Sequence, residues 1–275
     1  MNAKKLEQII IVILLLVNLF LLGVVYSAGA QDRRSRRETE ASLTALLAEN
    51  GVEVGPGAVL LQDCPPECTV VWDMDREAER MRGLLGDLSA EDQGGSIWFY
   101  RSEQGQAVMR GTGELDLLMT GGNVLRGSDA KEAVTRFFSR AGVQLADVIA
   151  SPDEEDGHLE LCGCWNGHPV YNAVLGIDFS GERLYMVSGT MPFNVERSRD
   201  ENAGMDSVSV LVRFVELARS EGFICSRIDA LEAGYLMNVT TSGESTLTPV
   251  WRIATDTGDF YINAATGRSE SPGGR

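Results

Sequence analysis

The side chains of this 275-residue sequence that could do chemistry are few: two histidines, five cysteines and some clustered carboxylates. His158, Cys162, Cys164 and His168 stand within one short stretch, and four such ligands could hold zinc tetrahedrally. Their spacing matches no zinc signature, and a Cys-x-Cys pair on a strand points both thiols to one face. The pair therefore reads as core, with the histidines in loops. Asp256-Thr257-Gly258 spells the short motif of aspartic proteases, whose chemistry needs two carboxylates sharing one proton. A second such triplet is missing, so a hairpin turn with Gly258 at positive φ is the simpler reading. Asp153-Glu154-Glu155-Asp156 could draw calcium but lacks the ligand spacing of an EF-hand loop, and reads as a solvated acidic turn. No nucleophile elbow, phosphate-cradling loop or dinucleotide glycine fingerprint is present. The chain is therefore expected to act by binding or regulation, not as an enzyme, and without metal or cofactor. Cys64 and Cys68 flank Pro65-Pro66-Glu67 and could close a small disulfide loop; several cysteines could equally be small buried hydrophobes.

Charge narrows the partners. With 24 basic and 40 acidic side chains the formal charge is -16, a field that repels phosphate backbones, so nucleic acid is excluded as a partner. The strongest local signal is Ile9 to Val25, apolar except for Asn18 and Gly23. Extended to Ala30, it reaches the roughly 20 residues needed to span hydrocarbon as a helix. Lys4 and Lys5 precede it and Arg33, Arg34, Arg36 and Arg37 follow, so the positive-inside rule alone votes against a cytoplasmic N-terminus. The order of basic start, apolar run and small residues is instead that of a signal sequence, with a possible cleavage site after Ala30. The run is longer than that of a cleaved signal, which favours an uncleaved anchor. Either way the bulk of the chain lies outside the cytoplasm, on a cell membrane. Residues 1–8 form the cytoplasmic stub and 9–30 a transmembrane anchor in contact with the lipid bilayer.

The rest of the chain reads as α+β. Helices are predicted over Glu38 to Asn50, Asp129 to Ala141 and Ser207 to Glu221, each with apolar residues at helical spacing and each stopped by a glycine: Gly51, Gly142 and Gly222. Pro169-Val170-Tyr171 and Pro249-Val250-Trp251 follow the second and third of these glycines at the same distance. Each opens an alternating strand, a glycine turn and a return strand. Ile97-Trp98-Phe99-Tyr100, turning at Gly105 into Gln106–Arg110, reads as a divergent first copy. These patterns predict repeated helix-plus-antiparallel-hairpin units, with curved sheets packed on helices. An N-terminal exterior module over 31–122 and a two-repeat module over 123–275 are expected, the repeats meeting near 196–206.

Two stretches carry a resemblance. Leu15-Leu16-Val17-Asn18-Leu19-Phe20-Leu21 resembles the anchor of YycI-type regulatory proteins of Gram-positive bacteria. Leu247-Thr248-Pro249-Val250-Trp251-Arg252, with Phe260-Tyr261-Ile262-Asn263-Ala264 and Thr266-Gly267, is similar to PepSY-like modules. The resemblance implies a single-pass regulator that pairs with a YycH-like companion. It would modulate a WalK-type sensor histidine kinase of a two-component system for cell-wall metabolism. Asn18 would be the partner contact, because a lone amide in hydrocarbon seeks an interchain hydrogen bond. Phe20 lies beside it, and Gly23 would allow close approach. An envelope PepSY-like binding or protease-inhibitory module without a kinase is the alternative.

Overall fold

The computed structural model describes residues 35–124, 130–147, 157–191, 194–199, 204–240 and 244–272. The chain divides into two compact units, one ending at Val54 and the other running from Gly55 to Arg275. In the first, residues 35–49 form helix α1, and Gly51, at φ 78°, turns the chain towards the short strand β1 (Glu53–Val54).

The second unit is built on a sheet. Strand β2 (Cys68–Trp72) leads into helix α2 (Met74–Leu85) and a meander of β3 (Ser89–Gly94), β4 (Ile97–Arg101), β5 (Gly105–Arg110) and β6 (Glu114–Val124). Helix α3 (Ala130–Ser139) precedes β7 (Leu145–Asp147), β8 (His158–Trp165), β9 (His168–Ser180), β10 (Arg183–Thr190) and β11 (Asn194–Arg199). Helix α4 (Ser207–Glu221) precedes β12 (Arg227–Val239), β13 (Glu244–Thr255), β14 (Gly258–Asn263) and β15 (Ser269–Glu270). The hydrogen-bonded order is β11-β2-β13-β12-β9-β10-β6-β5-β4-β3, with β14, β15, β7 and β8 attached beside it. Among the described pairings of this unit all are antiparallel except that of β12 with β9, which meet in parallel at Tyr235 and Val170.

Local sequence accounts for the helices. Asp73 caps α2 by accepting from the Arg76 N–H at 3.0 Å, and Asp206 caps α4 by accepting from the Ser209 N–H at 2.8 Å. Gly222 ends α4 in the left-handed conformation that a Cβ would strain. Met81, Leu84 and Leu85 of α2 and Val134, Phe137 and Phe138 of α3 are buried in one core with Tyr100, Met109, Leu117, Leu175, Ile177 and Val187 of the strands. Phe214 of α4 packs edge-on to Phe260 of β14, and the Trp251 indole N–H donates to the Met205 carbonyl at 2.8 Å. These contacts seat α4 over β13 and β14.

The expected layout, an N-terminal transmembrane helix followed by repeated PepSY-like helix-plus-hairpin units, is corrected by this topology. The hairpins β9–β10 and β13–β14 are there, but neither closes a unit, because their strands go on pairing with distant partners. β9 also carries β8 and β12, and β13 also carries β12 and β2. The result is one large mixed sheet. A strand whose edge N–H and C=O groups find another strand does not stop at its own hairpin. Leu175 and Ile177 face α2 and α3 while Val170 and Ala173 belong to a second core with Tyr235 and Leu247, so a single strand serves two interiors. The apolar segment 9–30 lies outside the described residues, and no described helix is long and apolar enough to cross a membrane.

Arg252, in the middle of β13, is buried, its side chain only 4% exposed, and bound on both sides. Its Nη1 donates to Glu232 of β12 at 2.8 Å, and its Nε and Nη2 donate to the two oxygens of Asp259 of β14 at 3.1 and 3.2 Å. Burial works against the charge, but the Asp259 hydrogen bonds and the two carboxylates hold the guanidinium above its ordinary range. Glu232 is 48% exposed, so it regains water when its partner is removed. Arg252→Ala is therefore expected to cost about 1–3 kcal/mol, less than a fully buried pair would. Urea unfolding checks this, and an unchanged midpoint would show that the three strands hold their register without the ion network.

Candidate functional site

Helix α2 carries polar chemistry on two adjoining faces. On its sheet-facing side Glu77 is fully buried and accepts from the Tyr100 hydroxyl at 2.6 Å, while its other oxygen has no hydrogen-bond partner. Burial pushes this carboxyl up to about 7, and the Tyr100 bond, which favours the anion, offsets only part of that. On the other side Arg76 and Arg80, one helical turn apart, line a cleft of about 680 Å³.

The opposite walls come from four separate places in the chain. The turn after α3 supplies Gly142, Val143 and Gln144; the end of β8 and its turn supply Cys164, Trp165, Asn166 and Gly167; Met191 follows β10, and Glu196 lies on β11. Two backbone features hold these walls together. The Cys164 N–H donates to the Gln144 carbonyl at 2.9 Å, tying the β8 end to the turn after α3. At Gly83 helix α2 comes so close to that turn that a Cβ would stand 2.9 Å from both the Ala141 Cα and the Arg140 carbonyl oxygen. The β8–β9 turn takes positive φ at Asn166 (50°) and Gly167 (82°), as a two-residue hairpin loop requires. Asn166 Nδ2 donates to Glu196 Oε2 at 3.3 Å and so holds the one carboxylate among the described residues that line the cleft.

Two cationic forks, a half-buried indole and a backbone-rich turn make a binding surface, since guanidinium groups present planar donors matched to carboxylate or phosphate oxygens. Burial, together with the neighbouring Arg76 charge, lowers the proton affinity of Arg80 from its usual range. Burial also pushes the Cys164 thiol up, which keeps it from acting as a thiolate nucleophile at neutral pH.

The residues singled out in the sequence are not gathered here, apart from Cys164. His158 Nδ1 lies 2.6 Å from Asp178 Oδ1 across β8 and β9, and Cys162 is buried in the sheet. His168 stands edge-on to Tyr235, with ring centroids 6.1 Å apart. Among the described residues no group of three His, Cys, Asp or Glu is placed to hold a metal. All five cysteines are thiols, so Cys64 and Cys68 close no disulfide loop. Asp256 sits in the β13–β14 turn and accepts from the Ser226 hydroxyl and from the N–H groups of Ser226 and Arg227, which hold its carboxyl below the usual range. It is a turn residue, as the single motif implied. Asn18, Phe20 and Gly23, the expected partner contacts, and the acidic run 153–156 lie outside the described residues.

Sequence reading passed over α2 altogether, and with it Arg76 and Arg80. A signal was there: Asp73 as cap, then Met74, Ala78, Met81, Leu84 and Leu85 at helical spacing, with Gly86 to stop it. Nothing in the sequence pairs that helix with Trp165, which joins it only through the tertiary fold.

The chain matches no family model and no curated protein sequence. A solved structure of an uncharacterized protein from Eubacterium rectale is similar at 10% identity, covering 80% of this chain and 89% of that chain with a TM-score of 0.47.

The buried carboxyl and the close helix approach each generate a measurable outcome. Glu77 has an ordinary value near 4.5 in the unfolded chain and about 7 in the fold. Between these pH values the native state keeps a proton that the unfolded state has lost. Stability contributed by the protonated form is thus complete below pH 4.5 and is withdrawn as pH rises to 7. Glu77→Gln should match the parent at pH 4.5 and unfold at higher urea by pH 8; parallel pH profiles would refute the assignment. Gly83→Ala forces α2 away from the turn at Ala141 and is expected to cost about 1–3 kcal/mol in the same unfolding measurement.

Proposed function

We propose that this chain is a membrane-attached, extracytoplasmic regulatory protein that works by binding and modulates a sensor histidine kinase. The observation that carries the binding part is the cleft lined by Arg76, Arg80 and Trp165, in a chain whose net charge is strongly negative. The groups that could have served catalysis have other work: Asp256 organises a turn, His158 pairs with Asp178, and Cys164 is held as a thiol by burial. The membrane part is supported by the apolar run from Ile9 to Ala30, which is long enough to span hydrocarbon as a helix. The kinase part, with a WalK-type kinase and a YycH-like companion as partners, is supported by the resemblance of residues 15–21 to the anchors of YycI-type regulators.

Photo-crosslinking from position 18 in native membranes, followed by mass spectrometry, tests the partner part. Capture of a sensor kinase or of a YycH-like companion supports it. Recovery of lipid alone, or a mature chain starting at Gln31, overturns the contact through this segment and leaves an exterior binding module without a kinase. An amide hydrogen bond in hydrocarbon contributes about 0.6–2 kcal/mol. Asn18→Leu should accordingly weaken co-purification of the captured partner by about three- to thirtyfold at unchanged expression.

A further inference from the structure

The binding reading above leaves the ligand unspecified, and the walls of the cleft narrow it. We propose that the cleft between Arg76, Arg80 and the β8–β9 turn is a site for an organic carboxylate. Its carboxylate would sit on the two guanidinium groups and its carbon body against Trp165.

Four observations converge on this. The volume of about 680 Å³ fits a molecule of small-metabolite or short-peptide size, for which sites run roughly 300–1,000 Å³. Arg76 stands in the first turn of α2, where a cation opposes the helix dipole, so helix stability does not account for it. A flat, half-buried indole lines the same cleft and offers an apolar plate to a carbon body. Glu196, fixed by Asn166, puts one negative charge on the wall facing α2. With the net charge of -16 it disfavours a phosphate dianion and leaves room for a monoanion near the arginines.

The test uses the full chain in lipid nanodiscs and isothermal titration calorimetry. The probes are sodium benzoate, an N-acetylated tripeptide ending in Phe as free acid and as amide, and inorganic phosphate. Saturable binding of benzoate or of the peptide acid is expected, with the amide and phosphate at least tenfold weaker. Benzoate binding as well as the peptide points to a small free carboxylate, and binding of the peptide acid alone points to a peptide C-terminus. Arg76→Ala and Arg80→Ala should each lose at least tenfold in affinity. Arg76 is exposed, so its variant keeps the fold, and an unchanged thermal midpoint verifies that. Trp165→Ala, which removes the apolar plate, should lose severalfold at an unchanged thermal midpoint. Absence of carboxylate binding, phosphate binding as tightly as carboxylate, or binding that survives both arginine changes overturns the proposal. A kinase captured from position 18 without carboxylate binding would refute this site alone. Carboxylate binding with no captured partner would refute only the kinase reading.

Discussion

A guanidinium buried in the middle of a sheet stays charged only if carboxylates reach it from the neighbouring strands, and at Arg252 they come from both sides. Glu232 on β12 and Asp259 on β14 are held in the register that puts Arg252 opposite Glu232 and diagonal to Asp259, two residues along from its partner Tyr261. A one-residue slip of either strand would turn the carboxylate to the other face and leave the cation unpaired in the interior. Hydrophobic alternation opposes the same slips, and the ion network adds a second, polar constraint to it. The position of α4 follows, since Phe214 and the Met205 carbonyl meet Phe260 and Trp251 only when β13 and β14 are in this register.

Helix α2 plays the corresponding part in the other half of the sheet. Twelve residues must bury Met81, Leu84 and Leu85, hide a carboxyl against Tyr100, and still bring an exposed Arg76 and a partly buried Arg80 to the cleft. A helix can do all three because residues one turn apart share a face while their neighbours point elsewhere. The absent side chain at Gly83 lets the helix press against the turn after α3, which brings the wall of the cleft within reach of the arginines.

Local structure was legible in the sequence wherever a single periodicity ran unbroken. The glycine stops at Gly51, Gly142 and Gly222 mark the ends of α1, α3 and α4, and the alternation around Gly181 and Gly258 marks two hairpins. Helix α2 escaped because its apolar stripe is interrupted by six charged residues from Asp75 to Arg82, although the spacing is helical. The sheet order was not legible at all. Which strand pairs with β2 is decided by tertiary packing of Cys68 and Val70 against Tyr235 and Leu247, and no local pattern encodes that partner. For the same reason the cleft was invisible: its residues come from α2, the turn after α3, the β8–β9 turn and β11, and no two of these segments are neighbours in sequence.

The place of β2 in the sheet has a consequence for how the chain is made. Its two neighbours are β11 and β13, which are synthesised long after it. Until they emerge, the run Cys68-Thr69-Val70-Val71-Trp72 has neither of its native strand partners, although it belongs among the earliest residues of its unit. Closing loops of that length is slow, and an unpaired apolar strand is prone to join the wrong chain. Its first strand therefore waits for its last long hairpin, and the unit completes its sheet only when synthesis is nearly done. Whatever handles the chain in the meantime has one short, valine-rich segment to shield.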